Sequence, residues 1–433
     1  MENNLLIQQL IKFISRCPTC YHTVETAAGQ LTAAGFAELR EEDRWATAPA
    51  GRYFVRRGGS SLIAFRTPTE MPSGFRVCAV HGDSPCFKIK ENGTLVSDRY
   101  LRLNTEKYGG MLCATWLDRP LSVAGRVTVR QEGRIVSRLV DFDRDLALIP
   151  SLAIHINRTA NEGASYDPKT DMVPLLGSGT CRFLALLAEH LQVEEVDILG
   201  TDLYLYNRMP GTVWGAAREY VSAPRLDDLQ SAFACLEGFL AADGSDALSV
   251  YALFDSEEVG SGTPQGAGST FLADVLSRTV KAMGGTDEDY YRCVAGGFLV
   301  SADNAHACHP NHPQMTDSGN CPYLNEGIVI KFSAAQRYIS DGAGSAVFRE
   351  ICRQAGVKYQ FFANRSDLPR GSTLGHISTG QVSLRGVDIG LPQLAMHSSY
   401  ETAGTSDTAD LIRAIRQYYN CPLRLLPGGG FEV

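Results

Sequence analysis

The chain has 433 residues and a formal net charge of −8, with 40 lysines and arginines against 48 aspartates and glutamates. This length exceeds what one hydrophobic core normally covers, so we expect two domains. The acidic balance leaves no basic field for polyanions, which argues against nucleic acid or a membrane surface as the partner. No apolar run approaches the roughly 20 residues that span a bilayer, and the N-terminus does not have the pattern of a signal peptide.

The expected compartment is therefore the cytoplasm, where the 12 cysteines stay reduced. Cys17 and Cys20 form a CxxC pair, but no second pair follows at zinc-finger spacing. We interpret this pair as incidental.

The first half of the chain begins with apolar residues at helical spacing, which predict helix over residues 5–40. The apolar run 75–80 has the length of a buried strand and ends at His81, with Asp83 two residues later. Functional groups of open α/β sheets gather at the carboxyl ends of strands. His81 is thus a candidate metal ligand and Asp83 a candidate for orienting its ring. An ordinary hydrogen-bonded loop is the alternative.

From about residue 87 the pattern changes to that of antiparallel strands. Two segments have the form of β-hairpins, one at 87–96 with its turn at 91–93 and one at 126–136 with its turn at 131–133.

A helix is predicted near 179–192, followed by a return to strand at 196–199. We therefore assign residues 1–86 and 220–433 to one discontinuous domain and residues 87–219 to an inserted, β-rich domain.

Two adjacent carboxylates, Glu257 and Glu258, follow the apolar strand run 248–254. Neighbouring side chains at a strand end point in different directions. One carboxylate can therefore hold a metal while the other addresses what is bound to it, as metal-assisted hydrolysis requires. A solvated acidic loop is the alternative.

Three further candidates follow in the same half. Asp303 comes after the strand run 298–302, His397 ends the apolar stretch 390–396, and Asp227 lies at the start of a predicted helix, where an acidic cap is the alternative. Histidines and carboxylates without cysteine suit a pair of borderline divalent ions such as zinc.

Eight motifs, in order along nearly the whole chain, resemble those of the aspartyl aminopeptidase family of dizinc metallopeptidases. They are HxDSP at 81–85, YGG at 108–110, WLDR at 116–119, APRLD at 223–227, SEEVGS at 256–261, SADxAHA at 301–307, QRY at 336–338 and PQLAMHS at 392–398.

The resemblance implies an α/β fold of the zinc-exopeptidase type, with a mixed central sheet flanked by helices and an inserted, mainly β dimerisation domain. It implies two divalent metal ions per subunit, with Asp227 bridging them, Glu257 as the general base and Asp83 fixing the tautomer of His81. Zinc is the expected metal, although manganese and cobalt use the same ligand types. The implied metal ligands are His81, Asp227, Glu258, Asp303 and His397.

The same resemblance implies substrate contacts and an assembly. His155 is implied to reach the active site of a neighbouring subunit, in a tetrahedral dodecamer built from dimers. Lys331 would bind a substrate carboxylate, with an exposed strand residue as the alternative. The implied substrate-binding residues are His155, Glu257, Asp303, His306, Lys331 and Tyr338.

The spacing of His306, His309 and His312 is compatible with a separate metal cluster. We expect instead that His309 and His312 lie in a turn with their neighbouring prolines.

We predict a metal-dependent aminopeptidase that hydrolyses N-terminal Asp or Glu from peptides by a two-zinc, bridging-water mechanism. The alternatives are a dizinc aminopeptidase of neutral or basic preference, a deacylase on the same scaffold, and a catalytically inactive, self-assembling scaffold. The chain departs from the family pattern at Asp228, where Asn is frequent, and at His376, where Pro is usual. These departures leave the residue preference open.

Overall fold

The structure is a computed structural model that describes residues 2–97, 99–179, 182–368 and 371–433. The helices of these residues are α1 (Glu2–Arg16), α2 (Cys20–Ala33), α3 (Phe183–Leu191), α4 (Leu226–Ala241), α5 (Phe271–Ala282), α6 (Asp287–Ala295), α7 (Gly342–Ala355), α8 (Leu374–Gln381) and α9 (Asp407–Asn420).

The strands of the first half are β1 (Ala37–Leu39), β2 (Arg52–Arg57), β3 (Ser61–Arg66), β4 (Phe75–His81), β5 (Cys86–Ser97), β6 (Tyr100–Tyr108), β7 (Leu121–Gln131), β8 (Arg134–Asp141), β9 (Leu175–Ser178) and β10 (Ile198–Asn207). Those of the second half are β11 (Thr212–Trp214), β12 (Tyr220–Ala223), β13 (Leu248–Phe254), β14 (Phe298–Ala302), β15 (Ala305–His306), β16 (Ile328–Phe332), β17 (Tyr359–Ala363), β18 (Arg385–Gly390), β19 (Pro392–Leu394), β20 (Glu401–Gly404), β21 (Arg424–Leu425) and β22 (Phe431–Glu432).

The largest sheet has the strand order β1-β2-β3-β13-β4-β14-β18-β16-β17. Its central strands β13, β4, β14 and β18 run parallel to one another, whereas β3 and β16 pair with them antiparallel on either side. The predicted mixed central sheet is therefore confirmed. Because the central strands are parallel, their carboxyl ends lie at one edge of the sheet, where α/β proteins bind their ligands.

Helices cover both faces of this sheet. Along β4, Phe75 and Val77 pack into the hydrophobic core that also contains residues of α5 and α8. Cys78 and Val80 pack on the opposite side, with residues of α2, α4, α7 and α9. A strand that is buried on both faces reads as a continuous apolar run, which explains why β4 was recognisable from the sequence. Within the described residues, no helix combines the length and the apolar character that crossing a bilayer requires.

A second sheet has the order β8-β7-β10-β5-β6-β9 and is antiparallel throughout. Its strands lie between Cys86 and Asn207, and α3, the helix expected near 179–192, contributes to its hydrophobic core. The predicted turn at 131–133 joins β7 to β8 and is confirmed.

A third sheet, β11-β12-β20-β19-β15, links the two parts of the chain. In it, β11 from the region 87–219 pairs with β12 from the region 220–433. The domain boundaries stay a prediction.

The hairpin predicted at 87–96 is wrong. β5 continues through residues 91–93 and pairs with β6 on both sides of them, from Ile89 opposite Thr105 to Thr94 opposite Leu103. The Asn-Gly pair that suggested a turn therefore lies in a β-bulge, where one strand carries extra residues opposite its partner.

The single helical region predicted over 5–40 is also wrong in its extent. The structure has two helices, and Pro18, which has no N–H to donate, lies between them. The second helix ends at Ala33, Gly35 adopts a φ of 82°, and β1 follows at Ala37.

Candidate metal centre

The five predicted metal ligands come together at the carboxyl edge of the large sheet. His81 is the last residue of β4, Glu258 follows β13 in a short 3-10 helix, and Asp303 comes directly after β14. His397 follows β19, in a left-handed backbone conformation with a φ of 65°. Asp227 lies in the first turn of α4, with non-helical φ and ψ of −83° and 110° and a side chain only 3% exposed. It is therefore not a solvated helix cap.

Asp227 lies between the two histidines. Its Oδ1 is 3.6 Å from His81 Nε2 and its Oδ2 is 3.3 Å from His397 Nε2, while Glu258 Oε2 is 3.5 Å from the same His397 nitrogen. Potential ligand atoms of His81, Asp227 and Asp303 lie within 4.8 Å of one another, as do those of Asp227, Glu258 and His397. Asp227 is thus common to both groups.

The carboxylates of this cluster are crowded and incompletely paired. Burial, together with the charge of Asp227, raises the pKa of Glu258 well above its usual value, and burial raises the pKa of Asp303 in spite of the nearby Lys331. Asp227 Oδ1 and Glu258 Oε1 are buried, and no described residue donates a hydrogen bond to either. Such unpaired oxygens are costly unless a cation compensates them. Beside two imidazoles, they form a donor set that fits zinc.

Asp83 holds the segment that carries Glu257 and Glu258. Its Oδ1 accepts a hydrogen bond from the Glu257 amide at 3.2 Å, and its Oδ2 accepts one from the Glu258 amide at 3.2 Å. The hydroxyl of Tyr108, a residue to which the sequence assigned no role of its own, donates to Oδ2 at 2.8 Å.

The same residue also contacts the ring of His81. Nδ1 of His81 lies 3.1 Å from the backbone oxygen of Asp83 and 3.4 Å from its Oδ1. This is the geometry expected of a residue that fixes the orientation of a ligand histidine.

Glu257 faces the same space as the predicted ligands. An oxygen of its carboxylate lies within 4.8 Å of potential ligand atoms of His81 and Glu258. Burial, together with repulsion from nearby carboxylates such as Asp303, raises the pKa of Glu257 to about 8. A carboxylate with a pKa near neutral pH is suited to accepting and returning a proton.

Lys331 borders the cluster from β16. Its side chain is only 3% exposed, so the interpretation as an exposed strand residue is wrong. Nζ donates a hydrogen bond to the backbone oxygen of Asn304 at 2.8 Å and lies 3.7 Å from Asp303 Oδ1. The ring centroid of Tyr338 is 5.5 Å from Nζ, so these predicted substrate contacts adjoin the metal ligands.

His306 and His155 differ in their surroundings. His306 is exposed, and its ring centroid lies 6.1 Å from that of Phe362, which in turn packs 6.4 Å from Tyr338. His155 lies in an exposed turn between Ile154 and Ile156, which are 46% and 75% exposed. Among the described residues, no hydrogen bond, ion pair or ring contact joins His155 to the other predicted site residues.

His309 and His312 lie on the surface. The His312 amide donates to the His309 oxygen at 3.1 Å, as in the expected turn, and their ring centroids are 5.1 Å apart. The groups of potential metal ligands found in the described residues contain neither of them.

Glu401 is a residue of the site to which the sequence analysis assigned no role. Its carboxylate accepts hydrogen bonds from the backbone amides of Asp227 at 2.9 Å and His397 at 2.7 Å. The available signal was its position four residues after His397, in a polar segment without apolar periodicity.

Known proteins resemble this chain over nearly its full length. A profile of the peptidase M18 family, described as aminopeptidase I zinc metalloprotease, matches residues 13–419. The chain is 42% identical over 432 residues to a probable M18 family aminopeptidase 2 of Clostridium acetobutylicum, covering 97% of this chain and 100% of the relative. It is 41% identical over 425 residues to one of Pseudomonas paraeruginosa, covering 96% and 98%.

Solved structures share the fold. The chain resembles Ape4 in its complex with Nbr1 with a TM-score of 0.92 and 34% identity, over 95% of this chain and 85% of that one. It resembles the mApe1 dodecamer of S. cerevisiae with a TM-score of 0.84 and 28% identity, over 96% of each chain.

Proposed function

The chain belongs to the peptidase M18 family of zinc aminopeptidases, and we propose that it releases N-terminal Asp or Glu from peptides with the help of two zinc ions. That the protein is a peptidase acting on N-terminal residues follows from the family. The number of ions, the residue preference and the role of each side chain are the proposal.

The observation that carries the two-ion proposal is that Asp227 belongs to two groups of potential metal ligands. One ion would be held by His81, Asp227 and Asp303, and the other by Asp227, Glu258 and His397, whose potential ligand atoms lie within 4.8 Å of one another in each group. When bound, such ions supply the Lewis acidity that makes a water nucleophilic at neutral pH and the positive charge that stabilises the carbonyl oxygen.

Glu257 is the proposed general base. Its carboxylate takes a proton from the attacking water and delivers it to the nitrogen of the leaving amine, so that one group serves both proton transfers. The backbone amide of Glu257 is held by Asp83, which supports a fixed position for the carboxylate.

The proposed acidic preference rests on Lys331. Its buried ammonium uses one proton toward Asn304 and keeps others for a substrate carboxylate. Tyr338, His306 and the partner subunit's His155 would complete the substrate pocket, and Glu257 and Asp303 would face the substrate amine.

We also propose a homo-oligomer, with the second sheet, in residues 87–219, forming a dimer and dimers assembling into a tetrahedral dodecamer. The similar yeast structure is that of a dodecamer. Exposed Ile135 and Leu139 on β8 support an interface on this sheet. The proposed compartment is the cytoplasm, in keeping with the free thiols of the described cysteines.

Kinetics with Asp-, Glu-, Leu- and Lys-anilides, together with metal analysis of the purified protein, test this function. We expect two zinc ions per chain and kcat/KM values for Asp and Glu at least about tenfold above those for Leu and Lys. A higher value for Leu or Lys would assign a neutral or basic aminopeptidase. Less than one ion per chain, with no turnover, would point to the inactive scaffold.

A further inference from the structure

Glu401 is a buried carboxylate behind the metal centre, at the start of β20. It is 1% exposed, and its two oxygens have different partners. Oε2 accepts a hydrogen bond from the backbone amide of Asp227 at 2.9 Å. Oε1 accepts one from the backbone amide of His397 at 2.7 Å and a longer one from Gln393 Nε2 at 3.4 Å.

Both amides belong to residues whose backbone angles are those of neither a helix nor a strand pairing. His397 has a left-handed φ of 65°, and Asp227 has non-helical angles inside the first turn of α4. Neither amide can therefore rely on a helix or sheet ladder for its acceptor, and a buried N–H without an acceptor is costly. Glu401 supplies both acceptors from one rigid group.

The two residues that Glu401 holds are members of the same potential ligand group, with Glu258 as the third. Their side chains are in contact, with His397 Nε2 3.3 Å from Asp227 Oδ2. A single carboxylate thus ties the backbone of two segments that are far apart in sequence and whose side chains would bind one ion.

We propose that Glu401 is a positioning residue that fixes the spacing of Asp227 and His397 and thereby sets the affinity of the ion these two residues share with Glu258. The inference rests on the proposed function in assuming two ions. It goes further in predicting that one ion depends on Glu401 more than the other, because Glu401 holds two members of one ligand group, Asp227 and His397, but only Asp227 of the other. Residues that orient metal ligands typically change metal affinity by about 10–100-fold when replaced.

The test is Glu401→Gln, which keeps the shape of the side chain. An amide has one acceptor oxygen, and its NH₂ group would face a backbone N–H donor, so one of the two hydrogen bonds from the backbone amides is lost. Asp407→Asn is the matched control. Asp407 is another buried carboxylate that accepts from two backbone amides, those of Asn325 at 2.7 Å and Gly327 at 3.0 Å, outside the metal centre.

Zinc bound per chain is measured for the full-length proteins in a series of chelator concentrations, and the melting temperature of each metal-free protein is measured in parallel. We expect both variants to melt lower than the wild type when metal-free. In Glu401→Gln alone, one zinc ion should be removed at a chelator concentration about tenfold or more lower than the concentration that removes it from the wild type. The other ion should stay bound. Glu401→Asp retains both acceptor oxygens and should bind zinc more tightly than Glu401→Gln.

Equal zinc retention in the wild type and Glu401→Gln overturns the positioning role, as does equal weakening of both ions or an equal loss in Asp407→Asn. If Glu401→Gln does not fold, the comparison of Glu401→Asp with the wild type decides in the same way. Fewer than two ions in the wild type would instead contradict the two-ion proposal. In that case, weakening of the remaining ion in Glu401→Gln would still support the role of Glu401.

Discussion

Glu257 and Glu258 are adjacent in sequence, and the same carboxylate, that of Asp83, holds both of their amides. Their side chains nevertheless have different surroundings. Glu258 Oε2 lies 3.5 Å from His397 Nε2, and Glu258 belongs to the potential ligand group of Asp227 and His397. Glu257 belongs only to the group that it forms with His81 and Glu258. This difference supports the proposed roles, Glu258 as a ligand and Glu257 as a base, which the same substitution at both positions tests.

Replacing Glu257 by Gln removes a proton acceptor while preserving size and hydrogen-bonding shape. We expect kcat to fall by about 10²-fold or more, with two zinc ions retained and KM little changed. The measurements are steady-state kinetics and zinc analysis of the same preparation.

Glu258→Gln is the matched comparison for this prediction. Because Glu258 is a proposed ligand, its replacement should lower zinc content as well as kcat. Unchanged turnover in Glu257→Gln, or the same zinc loss in both variants, would remove Glu257 from the role of base.

The segment after β13, which carries Glu257 and Glu258, is tied to the second sheet. Tyr108, at the end of β6, donates to Asp83 at 2.8 Å, and Asp83 holds the amides of Glu257 and Glu258. A hydrogen bond to a charged group contributes about 1.5–3 kcal/mol.

Tyr108→Phe removes this bond and keeps the ring. We expect the free energy of unfolding to fall by about 1.5–3 kcal/mol and kcat to fall with it, while zinc stays bound because Asp83 keeps its contact with His81. Chemical denaturation and kinetics measure both effects. Tyr204→Phe is the control, since the Tyr204 ring packs 5.7 Å from Tyr108 but its hydroxyl makes none of the hydrogen bonds found among the described residues. Equal losses in both variants would contradict the link.

Two glycines of β18 approach the backbone of β14 and of Asp303 closely. A Cβ at Gly390 would overlap the backbone oxygen of Asp303, and one at Gly386, near the other end of β18, would overlap that of Leu299. Both Gly390→Ala and Gly386→Ala should destabilise the protein by about 1–3 kcal/mol, because the strands must move apart. Only Gly390→Ala should also weaken zinc binding, since it displaces Asp303. Similar zinc affinity in the two variants would show that Asp303 tolerates the shift.

The convergence of the proposed metal ligands could be predicted from the sequence where a strand run ends at a suitable residue type. β4, β13 and β14 are apolar runs because they are buried on both faces, and each is followed by His81, Glu258 or Asp303 at the edge where parallel strands end. Combined with the ordered motifs, this was sufficient for the sheet and for the convergence of the ligands.

Other features depend on contacts that no local pattern encodes. Glu401 matters because the backbone amides of two distant segments donate to it. Lys331 is buried because both faces of β16 are covered, and the residue pattern along the strand does not reveal this. The bulge at 91–93 was misread because an Asn-Gly pair favours a tight turn, whereas the pairing of β5 with β6 decides the conformation. These are tertiary effects overriding local propensity.

For the whole molecule, the second sheet and the large sheet are joined by hydrogen bonds on several sides. Arg126 donates to the Gly58 oxygen at 2.6 Å, Asn207 donates to the Ser399 oxygen at 3.0 Å, and Tyr108 donates to Asp83. Such ties hold the second sheet in a fixed position relative to the metal centre. His155 lies on the surface of the same part of the chain, beside the exposed Ile154 and Ile156, and contacts none of the other predicted site residues within the described part of the chain.

We therefore expect His155 to act in the metal centre of a partner subunit, and two inactive variants can test this. The variants His155→Ala and Glu257→Gln are each expected to have a strongly reduced kcat. They are co-expressed with different affinity tags. In a mixed dimer, the subunit that keeps Glu257 receives the partner's intact His155, so one of its two sites is complete. Random pairing makes about half of the dimers mixed, so activity should recover to about one quarter of the wild-type value per subunit. Nearly every dodecamer assembled from the two variants carries both tags, so purification through both tags removes assemblies of a single variant and should leave this value close to about one quarter. Mixed assemblies as inactive as the parent variants would show that His155 serves its own chain, and a wild-type kcat in the His155→Ala variant alone would show that His155 takes no part in the reaction.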